Sequence, residues 1–124
     1  MKGLTMNHEQ IFNNALEAGR EAFKACTPQA MVVTESDLRG NPIGRSWVVN
    51  EGVCGFAEVR IKGNTSFGRW ASKTKSFRKS YEGGLYYWVS ENSQSLERKE
   101  AFAHAMARYL TSMGIEAYST SRLD

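Results

Sequence analysis

The sequence predicts an α+β fold, a single domain over residues 1–124 in which helices cover a sheet. Two long segments have the three- and four-residue apolar spacing of helices, and several shorter ones alternate as strands do. From Gly52 onward the predicted order is strand, helix, short strand, strand, helix, strand. This is the βαββαβ order of a ferredoxin-like two-layer sandwich. We expect an N-terminal helix and a strand pair to be added to it.

The first predicted helix covers residues 8–26. Apolar residues recur along one face of it, and polar residues fill the other. Asn7 is suited to cap its start, with Gln10 completing a capping box, and Thr27-Pro28 ends it.

Two predicted strands, 30–34 and 45–49, follow this helix. Residues 35–44 between them are rich in glycine, asparagine and proline, which predicts a loop. Asn50-Glu51-Gly52 is typical of a hairpin turn that leads into the next strand, 53–62. Along that strand the odd-numbered residues share one face and the even-numbered residues share the other.

The remaining elements complete the βαββαβ order. They are a short helix over 66–73, a weak strand within 75–81, a strand over 85–90, a helix from Ser93 or Ser95 to Met113, a strand over 115–120 and a short tail, 121–124. Gly114 supports the end of the long helix, because glycine commonly follows a helix C-terminus.

Composition places the chain among globular proteins. Of its 124 residues, 41% are hydrophobic and 23% are charged, values that argue against disorder. No apolar run is long enough to span a membrane, and the first residues lack the apolar stretch of a signal peptide. Cys26 and Cys54 have no paired spacing, so we expect two reduced, buried cysteines and a cytoplasmic protein.

One window of the chain is strongly basic. Between Arg60 and Tyr81 it holds no acidic residue but seven basic ones: Arg60, Lys62, Arg69, Lys73, Lys75, Arg78 and Lys79. The net charge of the whole chain is only +3, so the remainder is negative. Such an uneven distribution of charge favours a surface that attracts phosphates or another anionic partner.

Aromatic residues accompany the basic window. Phe67 and Trp70 have helical spacing, which predicts that they pack in the core rather than stack on a ligand. Tyr86 and Trp88 share one face of the strand over 85–90. An open face bearing them would suit base stacking or a protein partner, but the sequence leaves open which face of the sheet is covered.

Two predicted helix starts carry polar side chains. Asn64 and Ser66 lie at one and Ser95 at the other, with Arg69 and Arg98 just inside the two helices. Free backbone N–H groups at such starts can bind an anion, and we expect both starts at one edge of the sheet. Ordinary helix capping explains the same polar residues.

The sequence contains no catalytic signature. Glu100 and His104 are one helical turn apart, but no nucleophile or metal motif accompanies them. With two histidines and no paired cysteines, no metal site is expected, and no cofactor motif is present.

Several stretches resemble a group of small uncharacterised proteins of tailed bacteriophages. They are GVCGFA (52–57), NTSFGRW (64–70), GG (83–84) with WV (88–89), QSLERKEA (94–101), GIEAY (114–118) and SRLD (121–124). The resemblance covers residues 52–124. It implies production inside an infected bacterial cell, where such proteins commonly bind host factors, nucleic acid or nucleotide signals of host defence. It implies no catalytic residues.

The sequence therefore favours a non-enzymatic binding protein whose ligand is nucleic acid or a nucleotide-type molecule. The predicted contacts are the seven basic residues of the window, with Asn64, Ser66, Ser95, Arg98 and the rings of Tyr86 and Trp88. One alternative is an inhibitor or adaptor that binds an acidic host protein. Another is an enzyme acting on a phosphate ester through Glu100, His104 and nearby arginines. A homodimer is also open.

Overall fold

The computed structural model describes residues 7–28, 31–36, 42–49, 52–91, 93 and 95–123. The described elements are α1 (His8–Ala25), β1 (Met31–Ser36), β2 (Pro42–Val49), β3 (Gly55–Ile61), α2 (Ser66–Lys73), β4 (Arg78–Lys79), β5 (Leu85–Trp88), α3 (Leu96–Ser112) and β6 (Ala117–Leu123). These elements confirm the predicted α+β class.

Four strands form one antiparallel sheet, in the order β4-β5-β3-β6. The central strand β3 pairs with β5 on one side and with β6 on the other, so that Glu58 lies between Trp88 and Thr120. The odd-numbered residues of β3 are buried and the even-numbered ones are partly exposed. The helices therefore cover one face of this sheet and leave the other face open.

The core lies between the sheet and the helices. Ala57, Val59 and Ile61 of β3 are buried there with Phe102 and Met106 of α3. Helix α1 packs on α3, and a Cβ at Gly19 would come within 2.7 Å of the Phe102 ring. This close approach requires the small residue at position 19.

An aromatic cluster fills the space between α1, α2 and β5. Phe67 and Phe77 are buried, and Trp70 packs against both Phe67 and Phe12 of α1. Tyr87 closes the cluster from the sheet side. The prediction that Phe67 and Trp70 belong to the core is confirmed.

Helix boundaries agree closely with the sequence. Asn7 accepts a hydrogen bond from the Gln10 backbone, and the Gln10 side chain accepts one from the Asn7 backbone, which is the predicted capping box. α2 has the predicted bounds, and the N-cap of α3 is Ser95 rather than Ser93. In the described part of the chain, no helix is both long and apolar enough to cross a membrane.

The strand pair is not an extension of the main sheet, contrary to expectation. β1 and β2 pair with each other in a separate two-stranded sheet. Both extend into the predicted loop, β1 as far as Ser36 and β2 from Pro42, because each supplies the other with backbone partners. Asn50 and Glu51 of the predicted turn lie outside the described residues.

The end of the chain and the cysteines also differ from expectation. Residues 121–123, predicted as part of a tail, continue β6 because 55–57 at the start of β3 offer them a pairing partner. Cys54 is exposed and Cys26 is half-buried, and neither forms a disulfide. Cys54 lies beside β3 on its even-numbered side, which explains its exposure.

Candidate functional site

The uncovered side of the four-stranded sheet forms a concave surface. Alternate residues of three strands form this open face, which we define as Phe56, Glu58, Arg60, Tyr86, Trp88, Tyr118, Thr120 and Arg122. With the β4–β5 turn they line a cavity of about 740 Å³, the central cavity. Its size is in the range of a small-molecule or nucleotide site.

Aromatic rings are concentrated on the open face. The centroids of Phe56 and Trp88 lie 5.2 Å apart with their planes tilted by 36°. Trp88 is 38% exposed and Tyr118 is 59% exposed. Since Phe56 and Trp88 stand on the two central strands, their rings can contact one planar ligand together.

A charged network forms the floor beside these rings. Arg60 pairs with Glu58 at 2.6 Å and with Glu82 at 3.0 Å, and it donates a hydrogen bond to the Ser80 hydroxyl at 3.1 Å. Burial acts to lower the pKa of Arg60, but Glu58, followed by Glu82, more than offsets it and the pKa lies above its ordinary value. Arg60 therefore stays charged and is held rigidly, with much of its charge balanced by the two carboxylates.

A second cavity of about 490 Å³, the edge cavity, adjoins the first at the β5 edge of the sheet. Its lining comprises Lys75, Ser76, Arg78, Tyr86, Tyr87, Trp88 and Ser90. β4 has only two residues, so the chain before Arg78 turns away from β5 and leaves this space open. Because Tyr86 and Trp88 line both cavities, the two form one continuous surface.

Lys75 has an unusual backbone at the rim of the edge cavity. Its φ is +63°, a left-handed conformation that favours glycine. Thr74 ends α2 just before it, and the buried Phe77 anchors the chain just after it. The short connection between α2 and Phe77 therefore places the exposed side chain of Lys75 at a backbone position where glycine would be less strained.

The combined surface carries more positive than negative charge. Its basic residues are Arg60, Lys75, Arg78, Lys79 and Arg122, and its acidic residues are Glu58 and Glu82. The excess is three positive charges, and the two glutamates are both paired with Arg60. The cations on either side of the rings are consequently available to an anionic ligand.

The structure brings only some of the predicted site residues to this surface. Those that line it are Arg60, Lys75, Arg78, Lys79, Tyr86 and Trp88. Lys62 pairs instead with Glu116 at 3.2 Å, and Lys73 is exposed at the end of α2. The predicted window is therefore divided between the open side of the sheet and the helix layer.

The two helix starts do not share an edge of the sheet, so that expectation is wrong. The start of α3 lies at the beginning of β3, where the Leu96 backbone donates to the Val53 carbonyl at 2.9 Å. The start of α2 lies beyond the other end of β3, with Gly68 close to Lys62. β3 has seven residues and separates the two by about 20 Å.

Residues at the helix starts have structural partners. Ser95 is 0% exposed and accepts a hydrogen bond from the Arg98 backbone, so it acts as a cap. Arg98 packs over the Phe23 ring, and Arg69 donates to the Asn64 carbonyl at 3.1 Å. The Ser66 hydroxyl lies 3.4 Å from His8.

Sequence reasoning missed Phe56, Tyr118 and Arg122 as site residues. Phe56 alternates in register with Arg60, and Tyr118 alternates with Arg122. This alternation is visible in the sequence. It identifies site residues only once the even-numbered face of β3 is known to be open. Arg122 lies over the Phe56 ring at 5.9 Å, which joins the two residues in one surface.

The residues considered for catalysis lie elsewhere. Glu100 accepts a short hydrogen bond from Ser121, and His104 is exposed on α3. Among the residues that the structure describes, no three of His, Cys, Asp and Glu are grouped to hold a metal ion.

No protein-family model matches the chain, and no curated protein or solved structure matches it either. A function is therefore inferred from the geometry of the open face and the edge cavity.

Proposed function

We propose that the protein binds single-stranded nucleic acid, or a nucleotide-type part of it, on the open face and in the edge cavity, without catalysing a reaction. The observation that carries this proposal is the placement of Phe56, Tyr86 and Trp88 on the two central strands, with cations on both sides of them. Rings supply stacking partners for bases and cations supply partners for phosphates.

The form of the surface favours a single strand over a duplex. Bases in a duplex are stacked on each other, so rings on a sheet can reach them only when they are unstacked. The excess of three positive charges over a shallow, ring-bearing face suits a flexible backbone that passes over it. A duplex would meet the cations alone.

We also infer that the sheet belongs to the ferredoxin-like type. What supports this is the chain order β3-α2-β4-β5-α3-β6 together with a sheet order in which β3 and β5 are central. Four-stranded RNA-recognition modules likewise stack bases on aromatic residues of their sheet.

The resemblance over residues 52–124 extends the proposal to a biological setting. A small phage-type protein with this surface would act in the cytoplasm of an infected bacterium, on host nucleic acid or on nucleotide signals of host defence. An acidic host protein is the alternative ligand for the same cations.

The decisive experiment measures binding of labelled single-stranded RNA, single-stranded DNA and a matched DNA duplex by fluorescence anisotropy at low salt. We expect a single strand to bind more tightly than the duplex. Lys75→Ala should weaken that binding, while Lys24→Ala, an exposed lysine on α1, should not. Undetectable binding of every nucleic acid and nucleotide, or equal affinity for duplex and single strand, would overturn the proposal.

A further inference from the structure

The outer edge of β6 is a long strand edge with which no described strand pairs. β6 pairs with β3 in an unbroken register from Ala117 opposite Ile61 to Leu123 opposite Gly55. In the part of the chain that the structure describes, no strand pairs with the other side of β6. It contains no proline or bulge and only one charged residue, Arg122. Such edges are usually blunted by those devices, because they otherwise pair with another chain.

We propose that β6 pairs antiparallel with β6 of a second copy, about a twofold axis that is perpendicular to the sheet and passes between the two copies of Thr120. With the axis at position 120, all seven residues of the strand are paired, since Ala117 then lies opposite Leu123 of the other copy. An axis at any other position along the strand leaves part of β6 unpaired. The interface adds seven cross-strand residue pairs to the edge of the sheet.

The side chains are self-complementary in this register. On the open face, the exposed ring of Tyr118 lies opposite the guanidinium of Arg122 in the other copy, a cation–π pair. On the helix side, Ser119 lies opposite Ser121, where two hydroxyls can bond. Thr120 lies opposite its own equivalent, and β-branched residues suit such a position.

The helix layer also permits the pairing. α3 packs over both β3 and β6, about one strand spacing from the axis, so the two copies of α3 would lie about 9–10 Å apart. This matches the usual distance between packed helices, about 8–10 Å. No rearrangement of α3 is needed.

The facing stripe of α3 has complementary charge. Glu100 accepts a hydrogen bond from Ser121, and the Thr111 hydroxyl donates to the Ala117 carbonyl, so this side of α3 lies over β6. His104 and Arg108 follow Glu100 at one-turn intervals on the same stripe. Because the two helices are antiparallel about the axis, the acidic part of one stripe meets the basic part of the other.

The dimer would place both open faces on the same side of one eight-stranded sheet. Tyr118 and Arg122 line the central cavity, so each copy would extend the other's surface with a ring and a cation. The dimer does not depend on the identity of the ligand, because a continuous open face would give any ligand a longer binding surface.

Disulfide trapping tests the register. In a background of Cys26→Ser and Cys54→Ser, Thr120→Cys places two thiols opposite each other across the twofold axis, at a cross-strand distance close to that of a disulfide. We expect oxidation to give a covalent dimer on a non-reducing gel. Tyr118→Cys alone should not do so, but an equal mixture of Tyr118→Cys and Arg122→Cys should. Lys24→Cys in the same background is the control for random collision.

The mass in solution tests the interface independently. Sedimentation velocity of the unaltered protein should give twice the 13.9 kDa of one chain. Thr120→Lys brings like charges together on the axis and should reduce the mass to one chain, whereas Thr120→Val should leave it unchanged. A one-chain mass for the unaltered protein at its highest soluble concentration overturns the inference. So does self-crosslinking of Tyr118→Cys as efficient as that of Thr120→Cys.

Discussion

The rings of Phe56 and Trp88 lie 5.2 Å apart, centroid to centroid, on the adjacent strands β3 and β5. They do not stand directly opposite each other, since Trp88 is opposite Glu58 in the register. Trp88 therefore leans along the sheet toward Phe56, and the two rings make a broader platform than either would alone. A base placed on this platform would have Arg122, which lies over the Phe56 ring, at its side.

Truncation of Trp88 should weaken binding of a single strand. Loss of one stacking partner typically costs about 1–3 kcal/mol of binding free energy per base. We expect Trp88→Ala to show such a loss in anisotropy titrations and Trp88→Phe to retain most of the affinity. Because Trp88 is on the surface, the melting temperature should change little. Equal affinities of Trp88→Ala and the unaltered protein would remove this ring from the site.

The cations that line the two cavities should appear in the salt dependence of binding. For single strands, each phosphate contact contributes about 0.7 to the slope of log affinity against log salt concentration. Lys75→Ala and Lys79→Ala should each reduce the slope by about that amount. Lys73→Ala is the matched control, because Lys73 is also exposed but lies at the end of α2. A slope unchanged by both site variants would place the phosphates elsewhere.

Removal of an acidic charge should have the opposite effect. Glu82 pairs with Arg60 from the rim of the central cavity, and its side chain is 79% exposed. Glu82→Gln frees part of the charge of Arg60, so nucleic acid should bind more tightly, by about 0.2–1 kcal/mol. The gain should fade at high salt. Glu9→Gln, on α1, should leave the affinity unchanged, and weaker binding by Glu82→Gln would contradict the electrostatic argument.

Local pattern was sufficient to predict much of the fold. The capping box of Asn7 and Gln10 and the hydroxyl cap of α2 at Thr65 are interactions between residues close in sequence, so the helix starts were predictable. The alternation along β3 likewise identified its two faces. The alternation of residues along a strand does not show which face the helices cover. For that reason the sequence alone does not identify Phe56 as a site residue.

The errors concern contacts between distant parts of the chain. Residues 121–123 lack strong strand propensity as a group and become a strand only because β3 offers them an edge. The prediction that the two helix starts share an edge assumes that the strands before them, β3 and β5, run parallel. β5 runs antiparallel to β3, so the helix after β5 must begin at the opposite end of the sheet from the helix after β3.

Tyr87 should make stability fall at high pH. Burial raises the pKa of Tyr87 above the ordinary value of 10.0, Glu91 adds to the effect and Arg20 opposes it. The phenol thus stays neutral in the folded protein at a pH where it ionises in the unfolded chain. Its contribution to stability is complete below pH 10.0 and is lost as the pH rises through the folded-state pKa.

Denaturant unfolding of the unaltered protein and of Tyr87→Phe, measured from pH 8 to above pH 10, isolates this contribution from that of other titrating groups. The free energy of unfolding of the unaltered protein should fall more steeply. Tyr86→Phe is the control, since Tyr86 is the neighbouring tyrosine on the open face. Parallel pH curves for Tyr87→Phe and the unaltered protein would mean that Tyr87 ionises without penalty.

Gly68 should not tolerate a side chain, although it lies within a helix. In most helices a change from glycine to alanine stabilises by up to about 1 kcal/mol. A Cβ at Gly68 would instead overlap the Lys62 carbonyl oxygen and come within 3.0 Å of the Gly63 Cα, both of them backbone atoms. α2 would have to move away from the end of β3, and we expect Gly68→Ala to destabilise the protein by about 1–3 kcal/mol. Ser72→Ala, in the same helix, should change the free energy of unfolding by less than about 0.5 kcal/mol. Thermal and denaturant unfolding of the two variants compare them directly, and a stability of Gly68→Ala equal to that of Ser72→Ala would show that α2 is not seated against β3 at this point.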